Sequence, residues 1–123
     1  MKKVLIIEDE KPLRDAFKFL LTQAGFLVDT AENGKVGLEK LAEFKPNLVI
    51  LDMLMPVLNG MEFLDHAQLK QTYPDVKLVV LSNLSDSISM EDARSYGVAS
   101  SFVKANLAPG DLVNIANQML EIK

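Results

Sequence analysis

Short runs of Val, Ile and Leu recur along the chain, at residues 4–7, 26–28, 48–51, 76–81 and 102–103, with helix-patterned segments between them. The runs show little alternation with polar residues, the signature of strands buried on both faces. In the first interval Leu13, Phe17, Leu20, Leu21 and Ala24 fall on one helical face, with Pro12 suited to a first turn and Gly25 to a stop. Val36, Leu38, Leu41 and Phe44 repeat the pattern, with Asn33 as a cap and Pro46 beyond the end. Further helices are expected over about 61–73, 85–96 and 109–122, the last with Leu112, Ile115, Ala116, Met119 and Leu120 on one stripe. Five strand–helix pairs in succession imply an α/β, doubly wound, five-stranded parallel sheet flanked by five helices and joined by right-handed crossovers. No linker or repeat interrupts the pattern, so residues 1–123 read as one domain.

In a sheet of this kind function sits in the crevice beyond the carboxyl ends of the strands. The first strand is followed there by Glu8, Asp9 and Glu10, the third by Asp52, the fourth by Ser82 and Asn83, and the fifth by Lys104. Taken singly, each has an ordinary explanation as a turn, cap or surface residue. Together they bring acids, a hydroxyl and an ammonium to one place. Carboxylates crowded at short range repel one another or raise each other's pKa, and a bound cation relieves the repulsion. An all-oxygen donor set without Cys or His favours a hard ion such as Mg²⁺, with Asp9 and Asp52 as direct ligands and Glu8 acting through a water. A carboxylate, a cation, a hydroxyl and a lysine make a phosphoryl-transfer site, with Asp52 as the attacking group and Ser82 and Lys104 on phosphoryl oxygens.

Composition removes several competing classes. With 13 Lys and Arg against 17 Asp and Glu, the net charge of −4 argues against a nucleic-acid surface. The absence of cysteine excludes disulfides and thiolate chemistry. Apolar runs of about four residues cannot cross a bilayer, and the N-terminus lacks a secretory pattern, so an intracellular, cytoplasmic protein is expected. His66, the sole histidine, reads as a solvated helix residue.

Over its whole length the chain resembles the receiver domain of two-component response regulators, of the single-domain chemotaxis type. The resemblance rests on Glu8 and Asp9, on the spacing Asp-x-x-Met-Pro-x-x-x-Gly from Asp52 through Met55 and Pro56 to Gly60, and on Ser82 and Lys104. It implies a flavodoxin-like fold with strand order 2-1-3-4-5. It implies Asp52 as phosphoacceptor, Glu8, Asp9, Asp52 and the backbone carbonyl of Leu54 as Mg²⁺ ligands, Ser82 as switch hydroxyl, and Lys104 as phosphoryl ligand. The implied partners are a sensor histidine kinase or histidine phosphotransfer protein and a downstream protein target, with no direct binding of nucleic acid or membrane. Catalysis would be confined to the domain's own aspartyl phosphorylation and dephosphorylation. No effector segment follows Lys123, so output by docking is expected.

Four positions depart from the family pattern. Ala105 stands where a proline in a cis peptide commonly follows the lysine, and a cis bond before alanine costs about 3 kcal/mol; a trans loop and a differently aimed Lys104 are expected. Ser101 occupies the place of the aromatic switch residue, while Phe102, one step on, should face the other side of the sheet. Asn83 replaces a small residue after the switch hydroxyl. Leu54 and Leu84 replace rim residues that can orient a hydrolytic water, so a shielded, long-lived aspartyl phosphate is expected. Leu13, Arg14 and Phe17 at the site end of the first helix are candidates for kinase docking. A phosphorylation-independent receiver is the main alternative. An aspartyl-phosphate phosphatase would need an acid at Leu54, and a flavodoxin-like electron carrier would need a Ser, Thr and Gly-rich loop in place of Glu8-Asp9-Glu10.

Overall fold

The computed structural model describes residues 1–53, 59–82 and 95–121. Five parallel strands, β1 (Lys3–Ile7), β2 (Leu27–Ala31), β3 (Leu48–Asp52), β4 (Lys77–Ser82) and β5 (Ser100–Val103), form one sheet in the order β2-β1-β3-β4-β5. The three central strands are the apolar ones. Their side chains alternate between two cores. Leu5, Ile7, Val49, Leu51, Leu78 and Val80 face one layer, and Val4, Ile6, Leu48, Ile50, Val79 and Leu81 face the other.

The first layer is built by α2 (Gly34–Phe44) and α3 (Gly60–Ala67) through Leu41, Phe63, Leu64 and Ala67. The second is built by α1 (Lys11–Gln23) and a C-terminal helix, Asp111–Met119, through Phe17, Leu21, Leu112, Ile115 and Ala116. Asn33 caps α2 by accepting from Val36 N at 2.9 Å, and Gly25, just past the C-cap of α1, turns the chain toward β2 at φ 100°. Four helices longer than one turn are found among the described residues; the helix expected over 85–96 falls almost wholly outside them, as do Leu54, Asn83 and Leu84.

The helix expected over 61–73 is broken. Gln68 adopts a left-handed conformation (φ 51°, ψ 52°), ending α3 and starting the one-turn α4 (Leu69–Thr72), so that the C-terminal helix is α5. The break has a packing cause. On a continuous helix Leu69 would lie about 200° around from Ala67, on the solvent side; the kink turns it into the core, where it is 2% exposed. The edge strands also run longer than their apolar runs. Asp29 and Thr30 in β2, and Ser100 and Ser101 in β5, extend strands that are only partly covered, which permits polar residues there.

Candidate functional site

The carboxyl ends of β1, β3, β4 and β5 meet at one edge of the sheet. Ile7 pairs with Leu51, so Glu8 lies level with Asp52 on the neighbouring strand; Glu8 continues the row Val4, Ile6 and Asp52 the row Leu48, Ile50. Asp52 pairs with Leu81, which places Ser82 one step further out, and Ser82 pairs with Val103, immediately before Lys104. Glu8, Asp52 and Ser82 are all buried, at 1%, 3% and 2% exposure. Two buried carboxylates side by side form a costly arrangement unless something neutralises them.

Lys104 supplies part of that neutralisation. Its Nζ stands 2.7 Å from Glu8 Oε1 and 3.1 Å from Asp52 Oδ2, with Glu10 Oε1 further out at 3.7 Å. The contact with Glu8 is an ion pair without hydrogen-bond alignment, and Ser82 Oγ is buried with no hydrogen-bond partner among the described residues. A proton on Glu8 can supply the rest. Burial, then a hydrogen bond with Asp52, push the Glu8 carboxyl up to about 8. Burial would also raise Asp9, but hydrogen bonds with Glu8 and Asp52 outweigh it and hold Asp9 below the usual aspartate range. Burial would lower the Lys104 pKa, yet its close contact with Glu8 and the charge of Asp52 raise it.

One carboxylate oxygen from each of Glu8, Asp9 and Asp52 lies within 4.8 Å of the others. Octahedral Mg²⁺ with oxygens at about 2.1 Å has ligand–ligand separations of about 3–4.2 Å, so the three could share one ion. The donor set is all oxygen, and the cluster carries more carboxylates than its single lysine can balance. The residues therefore fit a hard divalent cation. The proposed fourth ligand, the carbonyl of Leu54, lies outside the described residues.

The loop that carries Lys104 is trans: every described peptide bond is trans, that between Lys104 and Ala105 included, and Lys104–Asn106 forms a 3₁₀ turn. The lysine reaches Asp52 nonetheless. Phe102 packs with the α1/α5 core while Ser101 belongs to the opposite row, so no aromatic ring occupies the Ser101 position. Phe17, considered above for docking, is a core residue at 5% exposure, and Leu13 packs against the same core.

Two contributions were not read from the sequence. Gly60 is more than a turn: a Cβ there would lie 2.6 Å from Met53 Cα and 3.2 Å from Asp52 O, so glycine lets the start of α3 press on the backbone carrying Asp52. Asn59 and Glu62 form a reciprocal capping box beside it, fixing that helix start. The other is Arg14, whose Nη1 donates to Glu8 O at 2.8 Å and Asp9 O at 3.3 Å.

Residues 4–117 match the family described as the response regulator receiver domain. The chemotaxis protein CheY of Thermotoga maritima is 30% identical over 119 residues, covering 96% of this chain and 97% of that protein. A response regulator receiver domain protein of Clostridium thermocellum superposes with a TM-score of 0.84 at 29% identity, covering 98% of this chain and 95% of that one. Other relatives are longer: the chain spans 34% of the Archaeoglobus fulgidus protein-glutamate methylesterase/protein-glutamine glutaminase that it matches at 33% identity. With the family match running from β1 into α5 over this cluster of strand-end residues, the chain belongs to the response regulator receiver domains of two-component systems.

Proposed function

We propose that the domain accepts a phosphoryl group on Asp52, from a sensor histidine kinase or a histidine phosphotransfer protein, and in doing so switches a surface for a downstream protein. The observation that carries this reading is the Lys104 ammonium 3.1 Å from Asp52 Oδ2, at the same strand ends as the buried hydroxyl of Ser82, which has no hydrogen-bond partner among the described residues. An Asp52 oxygen attacks phosphorus in line; the new O–P bond forms as the donor's N–P bond breaks, and the imidazole leaves with the electron pair. Lys104 exchanges its carboxylate contacts for a phosphoryl oxygen, and the Ser82 hydroxyl donates a hydrogen bond to another. Glu8, Asp9 and Asp52 would hold Mg²⁺, which when bound neutralises charge building on the transferred group.

Switching follows from the same contacts. Phosphorylation adds charge that Ser82 and Lys104 engage better in one arrangement of their loops than in the other, and only such a difference moves the equilibrium. The test is incubation with acetyl phosphate, with and without Mg²⁺, followed by intact mass. A Mg²⁺-dependent gain of one phosphoryl group, absent in Asp52→Asn, is expected. No adduct, together with no response to beryllofluoride, would replace this reading with that of a phosphorylation-independent interaction module.

A further inference from the structure

Arg14 sits in the first turn of α1, where a cation opposes the helix dipole, and no acid in that turn offsets it. Its side chain turns back over the β1–α1 loop, where Nη1 donates to the carbonyls of both Glu8 and Asp9. Those carbonyls belong to the two peptide planes that flank Asp9 Cα. Each plane is rigid, so pinning both with one guanidinium fixes the direction in which the Asp9 side chain leaves the backbone. The remaining freedom of the loop is removed by Glu8 N donating to Ala31 O at 3.0 Å and Glu10 N to Glu8 Oε2 at 3.3 Å.

We propose that Arg14 is the positioning residue of the cation site: through the Glu8 and Asp9 carbonyls it aims the Asp9 carboxylate at the oxygens of Glu8 and Asp52. This rests on the reading of that cluster as a Mg²⁺ site. Positioning and bare charge predict opposite signs. A positive charge near a cation site repels the cation, so removing it should tighten binding if charge were its only effect. Removing the two hydrogen bonds should loosen binding, because groups that orient metal ligands typically carry about tenfold or more in affinity.

Mg²⁺ titration calorimetry on the full chain separates these, using Arg14→Met, Arg14→Lys and Lys11→Met. Arg14→Met keeps the apolar stem without the donors; Arg14→Lys keeps the charge and one donor group. Lys11→Met removes a charge from the same turn, where Lys11 pairs with exposed Asp15 at 2.8 Å. Arg14→Met should bind Mg²⁺ about tenfold more weakly, Arg14→Lys should fall between it and the wild type, and Lys11→Met should match the wild type. Thermal unfolding without Mg²⁺ reports any purely structural role, which would lower the Tm without moving the Mg²⁺ Kd. Unchanged or tighter binding by Arg14→Met overturns the inference, as does equal weakening by Lys11→Met. Wild-type protein that binds no Mg²⁺ overturns the metal-site reading itself, and this inference with it.

Discussion

Glu8 and Asp52 lie level on neighbouring strands, and one ammonium, Lys104, stands between 2.7 and 3.1 Å from an oxygen of each. Lys104 therefore does structural work before any phosphoryl group arrives. Lys104→Met should destabilise the metal-free protein by about 1–3 kcal/mol, the cost of leaving buried polar groups without a partner. Because Glu8 can hold a proton, the loss stays below that of a fully uncompensated buried charge. A divalent cation would take over the neutralisation, so Mg²⁺ should raise the stability of Lys104→Met by more than that of the wild type. Urea unfolding with and without Mg²⁺ measures both increments, and equal increments would contradict the shared role.

Two glycines meet different obstacles. A Cβ at Gly60 runs into Met53 Cα, whereas one at Gly37 meets Ile7 Cδ1 at 2.6 Å, the tip of a side chain, with Phe63 Cε2 at 3.2 Å. Backbone cannot step aside without moving Asp52; a side-chain tip can rotate. Gly37 also lies inside α2, where alanine gains up to about 1 kcal/mol of helix propensity. Gly60→Ala should cost about 1–3 kcal/mol and slow phosphorylation by acetyl phosphate, while Gly37→Ala should cost less and leave the rate unchanged. Chemical denaturation and phosphorylation rates of the two variants, compared side by side, test this.

The central strands and the strand-end cluster were legible because both are written in residue type: apolar runs for β1, β3 and β4, and polar groups where apolar ones would be ordinary. The edge strands were read short because partial exposure lets Asp29, Thr30, Ser100 and Ser101 occupy strand positions without an apolar signal. The break at Gln68 was hidden for a different reason. Its residues suit a helix locally, and only the burial of Leu69 on the wrong side of that helix forces the kink. Glu8 and Asp52 were legible as acids, but their level placement depends on a register between strands that residue type does not encode. Arg14 left one signal that was not used, a cation in a helix's first turn.

Phe102 packs in the α1/α5 core, on the opposite row from Ser101. A ring there cannot enter the space beside Ser82 without crossing the sheet. Beryllofluoride should therefore leave the Phe102 ring resonances nearly unshifted while those of Ser82 and its following loop move. A large change at Phe102 on activation would overturn the expectation that signalling runs without a rotating ring.

Leu54 and Leu84 carry an expectation from sequence alone. Neither side chain can hydrogen-bond a water for attack on the aspartyl phosphate, so dephosphorylation should be slow. Leu54→Asn and Leu84→Glu, singly and together, should accelerate it. Decay of the phosphorylated mass after removal of acetyl phosphate is the measurement, and an unchanged rate would refute the shielding idea.

The raised pKa of Glu8, about 8 against an ordinary 4.5, would give the proposed Mg²⁺ site a pH dependence of definite sign. A carboxyl whose folded pKa is raised binds more protons in the native state than in the unfolded one. Its contribution to stability is complete below about 4.5 and is lost as pH rises through about 8. Asp9 works in the opposite direction, but its lowered pKa puts its window below the usual aspartate range, outside this interval. A divalent ion needs the Glu8 carboxylate deprotonated, so binding must expel its proton. Below pH 8 the apparent Mg²⁺ affinity should therefore rise toward tenfold per pH unit, with close to one proton released, and level off above it. Metal-free protein should lose stability over that range, whereas Mg²⁺-saturated protein should hold it. Calorimetry in buffers of different ionisation enthalpy counts the proton directly. Glu8→Gln, which cannot titrate, should bind Mg²⁺ more weakly and with a flat pH profile. If the wild-type profile is equally flat between about pH 6 and 8, then Glu8 is already ionised beside Asp52, and Lys104 alone neutralises the pair.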